Sequence, residues 1–247
     1  MKGLFAQQLD RVRANIIRMG ETVNRQIDYA TIALTESSAY LKRTIHDHDR
    51  TVDNYDEIID RQVELIFAMT RPAAAELRLL MSALKVNNEL ERIGNRINDI
   101  AERMPSLHHH ANLIRRIGLI RMAAMAQQMV KDAIKSFAGN DPELAHTVRR
   151  DIDTIDESGR KILQHLVEGM KTDPTTIEPA SHAIVLVRHL ERVADHAANI
   201  AEDVIFLNGG EIVARTGADR MSLSSAFPRA GDAEAFQFIP QRLFSHS

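Results

Sequence analysis

Two twelve-residue segments carry the residues most able to do chemistry. Residues 91–102 read ERIGNRINDIAE and residues 191–202 read ERVADHAANIAE, an offset of 100 residues with no gap. On a helix each residue advances about 100°, so Glu91, Asn95 and Glu102 fall within about 40° of one another, with Asp99 close by. Glu191, Asp195 and Glu202 repeat the pattern, with Asn199 close by. A second acidic row precedes the first segment. Asp49, Asp53, Asp56 and Asp60 recur at three- and four-residue steps and share a face roughly 60° wide. Facing carboxylates repel unless a cation lies between them. Oxygen-only ligands suit hard or borderline ions such as iron, manganese or magnesium, and zinc is accessible through carboxylates, with His48 or His196 as nearby nitrogen donors.

These rows need long helices to position them, and the composition provides for helices. Hydrophobic residues make up 44% and aromatics only 4% of 247 residues, Trp is absent, and Gly and Pro are few. Pro72, Pro105, Pro142, Pro174 and Pro179 all separate stretches of helical periodicity. Asp141-Pro142 and Asp173-Pro174 read as an N-cap followed by proline in the first turn. Gly209-Gly210 reads as a helix stop. The pattern predicts six helices, over 5–38, 41–69, 73–104, 109–138, 142–170 and 178–207. Short connections make sequential helices antiparallel. The fold class is all-α: two tandem three-helix bundles related by internal duplication, spanning 1–107 and 108–215. Residues 216–247, with Phe227, Phe236, Phe238 and Phe244, read as a flexible C-terminal tail or a segment that docks into a groove.

The duplication sets the expected levels. In a hairpin turning near residue 71, Asp49 comes level with Glu91. Around a turn near residue 175, Asp153 and Asp156 come level with Glu191 and Asp195. The acidic stripe lies roughly opposite the apolar stripe of its own helix, so it faces solvent or another subunit. Arg92, Arg103 and Arg192 are placed to pair with these carboxylates, each pair contributing well under about 1 kcal/mol.

Other classes are constrained. Cysteine is absent, which excludes disulfides and thiolate metal sites. A formal charge of −3 disfavours nucleic acid as a partner. No stretch approaches the roughly 20 apolar residues that span a bilayer, and no signal-like apolar run precedes the first charged segment, so the expected compartment is the cytoplasm. Glu143 and His146 form a lone Glu-x-x-His, whereas di-iron bundles use two. His108, His109 and His110 lie in an expected polar turn. Gly-rich phosphate loops and nucleophile elbows are not found.

Leu90-Glu91-Arg92-Ile93-Gly94-Asn95, Leu190-Glu191-Arg192-Val193-Ala194-Asp195 and Asp49-Arg50-Thr51-Val52-Asp53 resemble the repeated acidic motif of the PhoU family. Arg71-Pro72 with Glu76-Leu77-Arg78-Leu79 is similar to the family's loop and third-helix entry. The resemblance covers about residues 5–210. It implies two three-helix bundles, often a homodimer, with multinuclear iron or zinc clusters on paired acidic motifs. Carried over, the metal ligands are Asp49, Asp53, Glu91 and Asn95 in the first half and Asp153, Asp156, Glu191 and Asp195 in the second. It also implies a non-enzymatic negative regulator of phosphate uptake and of the starvation response, working through a sensor histidine kinase and the phosphate ABC transporter and reaching the membrane only through them. Two positions depart from the motif: Asn95 replaces an acid, and Ile152 stands where Asp49 stands in the first half. A metal-dependent hydrolase using the acidic clusters and a metal-binding structural bundle are the competing readings.

Overall fold

The computed structural model describes residues 2–36 and 38–209. Among these the chain forms seven α-helices: α1 (Lys2–Ala33), α2 (Ala39–Met69), α3 (Ala74–Arg103), α4 (Ala111–Ile117), α5 (Leu119–Gly139), α6 (Pro142–Thr172) and α7 (Ile177–Gly209). Strands are absent among the described residues. One bundle is α1–α2–α3 and the other α5–α6–α7, and they join where α3 packs on α7 and α1 on α5. Helices α2 and α6 therefore lie outermost, each contributing an apolar stripe inward and a polar face outward.

Local signals fix the ends. Ser38 caps α2 by accepting from the Leu41 N–H, and Asp141 caps α6 by accepting from the Leu144 N–H, with Pro142 in the first turn. Asp173 also caps, but what it starts is a short 3₁₀ turn, Pro174–Thr176, that leads into α7. The expected single helix over 109–138 is broken. Residues Met104–His110 wind as 3₁₀, and Gly118 adopts φ +83°, ending α4 and starting α5. The sequence pattern is amphipathic straight through Gly118, so the break is a backbone event that glycine alone permits cheaply.

The interior is aliphatic. Ile16, Ile27, Ile45, Ile59, Leu90 and Ile97 are fully buried in the first half, as are Ile155, Leu186, Val193 and Ile200 in the second. Each such side chain contributes roughly 1.5–3 kcal/mol through burial. At the α1–α5 contact, Gly20 lets the helices approach until an added Cβ would stand 2.6 Å from Ile134 Cδ1. Among the described residues, none of the helices is long and apolar enough to cross a membrane. The helix stop at Gly209-Gly210 falls at the edge of the described residues, with α7 ending at Gly209. The expected tail over 216–247 lies outside them.

Candidate functional site

Val52 and Ile155 occupy the same buried position in α2 and α6, 103 residues apart, so the two grooves between outer helix and third helix can be compared residue by residue.

In the first groove, Asp49 stands against Gly94 of α3, its Oδ1 3.4 Å from where a Cβ would be. Glycine at 94 is what admits the carboxylate so close. Gln26 of α1, fully buried, donates from Nε2 to Asp49 Oδ1 at 3.2 Å and to the Gly94 carbonyl at 3.3 Å. About two and three helical turns further along α2, Asp56 and Asp60 both accept from Asn87 Nδ2, at 2.7 and 3.2 Å. Asn87 is itself 1% exposed. Burial pushes the Asp49 carboxyl above its ordinary range; the Gln26 hydrogen bond opposes this, and the charges of Asp53 and Glu91 add to it. Burial likewise raises Asp56, reinforced by Asp60, Glu91 and Asp53. The expected leveling of Asp49 and Glu91 therefore holds to within a turn, and Glu91 sits in the field of both α2 acids. Asn95 is exposed and donates to Glu91 Oε1 at 2.7 Å, steadying that carboxylate.

The second groove is built differently. Glu191 is folded against Gly159 of α6, its Cδ 3.2 Å from a would-be Cβ, and accepts from Arg188 at 2.7 Å. Its side chain is only 15% exposed. The residue against Glu191 is thus Gly159, about one turn beyond Asp156 and nearly two beyond Asp153. Asp153 and Asp156 are exposed on α6, and Asp195 is half-buried on α7. The stripe carrying Glu91 and Glu191 also proves less open than its angle suggests, because both residues are half-buried and Glu191 leans against the outer helix at Gly159.

Several expected helpers are engaged elsewhere. Glu102 is held by Lys42 at 2.7 Å and His46 at 2.9 Å, and its repeat mate Glu202 by Arg149 at 3.1 Å. His46 and Arg149 are themselves equivalent positions, so the identity of Glu102 and Glu202 goes with a polar contact that joins the outer helix to the third helix in each half. His48 donates from Nδ1 to the Thr44 carbonyl and meets the Tyr29 ring edge-on. His196 pairs with Glu89 at the seam between halves. The expected salt bridges of Arg92, Arg103 and Arg192 are not formed among the described residues; Arg96–Asp99 and Arg188–Glu191 form instead. Glu143 and His146 are both exposed, on the first turns of α6.

The fit to a cation differs between grooves. In the first, two buried amide oxygens, Gln26 Oε1 and Asn87 Oδ1, have no hydrogen-bond partner, and five carboxylates share one field. These residues fit an oxygen-liganded cation. In the second, the positions equivalent to Gln26, Asp49, Asp56, Asp60 and Asn87 are Met129, Ile152, Gly159, Leu163 and Val187, which do not. Among the described residues no three Asp, Glu or His side chains converge on one point as they stand. Gln26 and Asn87 were missed from the sequence. Their signal is a polar residue in an apolar register, between Val23, Ile27 and Ala30 in one case and Ala83, Val86 and Leu90 in the other.

Comparison with known proteins places this geometry. The family model described as PhoU domain matches twice, over residues 16–104 and 119–204. The phosphate-specific transport system accessory protein PhoU homolog of Pseudomonas putida is 34% identical over 231 residues, covering 93% of this chain and 90% of that protein. The Pseudomonas aeruginosa homolog is 34% identical over 218 residues, covering 88% and 90%. The crystal structure of PhoU from Pseudomonas aeruginosa superposes with a TM-score of 0.77 at 33% identity, over 83% of this chain and 99% of that one. The phosphate transport system regulatory protein PhoU from Streptococcus pneumoniae gives 0.77 at 22% identity over 85% of this chain and shares the fold.

Proposed function

The chain belongs to the PhoU family, and from that membership and the two grooves we propose that it is an accessory regulator of phosphate transport that restrains uptake and the phosphate-starvation response. It works in the cytoplasm, as a homodimer, by contact with a sensor histidine kinase and with the phosphate ABC transporter. It catalyses nothing in this reading. The observation that carries the reading is the double family match, which spans both bundles and includes both acidic segments.

The acidic grooves are read as iron or zinc sites of unequal strength. In the first half Asp49, Asp53 and Glu91, joined by Asp56 and with Asn95 steadying Glu91, would hold the metal. In the second half Asp153, Asp156, Glu191 and Asp195 remain, without the buried amides and with Arg188 already on Glu191. A bound cation would supply the positive charge that the α2 and α3 carboxylates lack. The chain's own residues then set its strength: Gln26 and Asn87 orient Asp49, Asp56 and Asp60 from below, and Gly94 admits Asp49 to the groove.

A strain lacking this chain tests the regulatory reading. Phosphate-starvation genes should be expressed with phosphate plentiful, and the intact chain supplied in trans should silence them. Starvation genes that respond normally in the deletion strain would overturn the reading.

A further inference from the structure

Helices α3 and α7 run antiparallel along the seam between the halves, and their polar contacts fix the level of each residue. Lys85 Nζ meets Asp203 Oδ1 at 2.9 Å, and His196 Nδ1 lies 2.6 Å from Glu89 Oε2. At the other end of the seam, Arg96 Nη1 donates to Asp99 Oδ2 at 2.9 Å, and His189 Nδ1 lies 3.8 Å from the same oxygen. The 100-residue repeat relates these groups in pairs. Glu89 corresponds to His189, Arg96 to His196, Asp99 to Asn199, and Arg92 to Arg192.

One side of the seam supplies its own anion. The Glu89 carboxylate is received by His196 and by Asn199 Nδ2 at 3.2 Å, with the charge of Arg92 in reach. On the other side the place of that carboxylate is taken by His189, and the facing donor is Arg96 instead of an imidazole. The acid there is Asp99, 48% exposed and already matched by Arg96. His189 Nδ1 is buried and too far from Asp99 for a hydrogen bond, and Arg96 Nε is buried as well; neither has a hydrogen-bond partner among the described residues. Arg103 and Arg192 are exposed, carry no ion-pair partner among the described residues, and their charges reach the His189 ring.

We propose that this end of the α3–α7 seam is a binding site for a phosphoryl dianion, held by Arg103 and Arg192 over Arg96 and His189. Two unmatched guanidinium charges balance the ligand's two, and their planar forks match its oxygens. The Arg96–Asp99 pair adds no net charge, while Arg96 Nε and His189, as its Nδ1–H tautomer, bring donors not yet used. Both free phosphate and the phosphoryl group of a monoester present this chemistry. The site stands on the seam's own charges and needs neither the metal nor the regulatory partners.

Calorimetric titration of the full chain with inorganic phosphate and with phenyl phosphate tests it, in EDTA so that no metal in the acidic grooves binds the anion. Saturable binding is expected, weakened at least about tenfold by Arg103→Ser with Arg192→Ser. The same charge loss in Arg43→Ser with Arg50→Ser, two exposed arginines of α2, should leave affinity unchanged. Tighter phenyl phosphate assigns the site to a phosphorylated group, and tighter phosphate to the free ion. In the wild type, the His189 ring resonances should shift with the same midpoint. No saturation by about 10 mM of either ligand, unmoved His189 resonances, or equal loss in the two double variants would overturn the proposal.

Discussion

The groove between α2 and α3 and the groove between α6 and α7 descend from one pattern and have come to differ in one direction. The first keeps five acids in one electrostatic field and sets two buried amides beneath them. The second has replaced the corresponding positions with Met129, Ile152, Gly159, Leu163 and Val187 and has turned its remaining glutamate onto an arginine. Both grooves keep a polar contact from the outer helix to the last glutamate of the repeat, Lys42 and His46 to Glu102 and Arg149 to Glu202. The contact is thus kept in each half, whereas the acidic row is kept in one. Residues repeated for packing and residues repeated for chemistry separate once the halves diverge.

Close helix approach gives the largest expected effect on stability. Gly20→Ala places a methyl group against Ile134 in the α1–α5 contact, where three side-chain atoms crowd it, and should lower stability by about 1–3 kcal/mol in urea unfolding. Gly159→Ala meets only the end of the flexible Glu191 side chain, which can swing outward. It should be neutral or stabilising by up to about 1 kcal/mol, through helix propensity. Equal losses at both glycines would break the distinction between a packed seam and a yielding groove.

The seam comes next. Burial alone would raise the Glu89 carboxyl, but the hydrogen bonds from His196 and Asn199 and the charges of His196 and Arg92 together hold it below its ordinary value. A carboxylate lowered on folding contributes stability above its unfolded pKa and loses it as pH falls through the folded one. Glu89→Gln should thus cost about 1–2 kcal/mol at neutral pH, with variant and wild type converging in acid below the carboxylate range. A difference that persists unchanged into acid would show that shape rather than charge is at stake.

The smallest effect has the opposite sign. Asp49 and Asp56 are raised, Asp49 by burial with Asp53 and Glu91, so in metal-free protein each costs stability as pH rises through its folded pKa. Asp49→Asn should raise the urea midpoint of metal-free protein slightly, by well under about 1 kcal/mol given its partial exposure. The same variant should lower it relative to wild type when metal is present. Destabilisation in both conditions would mean that the Gln26 contact, and not the charge, is what the groove uses.

Much of this was legible in the sequence. Pro142, Asp141 and the apolar steps through Leu90, Ile93 and Ile97 locate helices because capping and burial are local or periodic properties. The repeat at Glu91 and Glu191 locates the third helix of each half. Gly118 was not readable as a break, since a glycine within an amphipathic run does not announce its φ. The site was legible on α2 and α3, where acids stand at helical spacing. It was not legible where a third helix reaches in: Gln26 comes from α1, and its meeting with Asp49 and Gly94 is a tertiary fact. The pairing of His196 with Glu89 spans the two halves, and helical spacing within one element carries no information about it.

Elemental analysis of protein purified without added metal bears most directly on the inequality of the two grooves. Iron or zinc should be present in the wild type, nearly all of it lost in Glu91→Ala and most of it kept in Glu191→Ala. Equal loss in the two variants, or metal kept in Glu91→Ala and lost in Glu191→Ala, would contradict it.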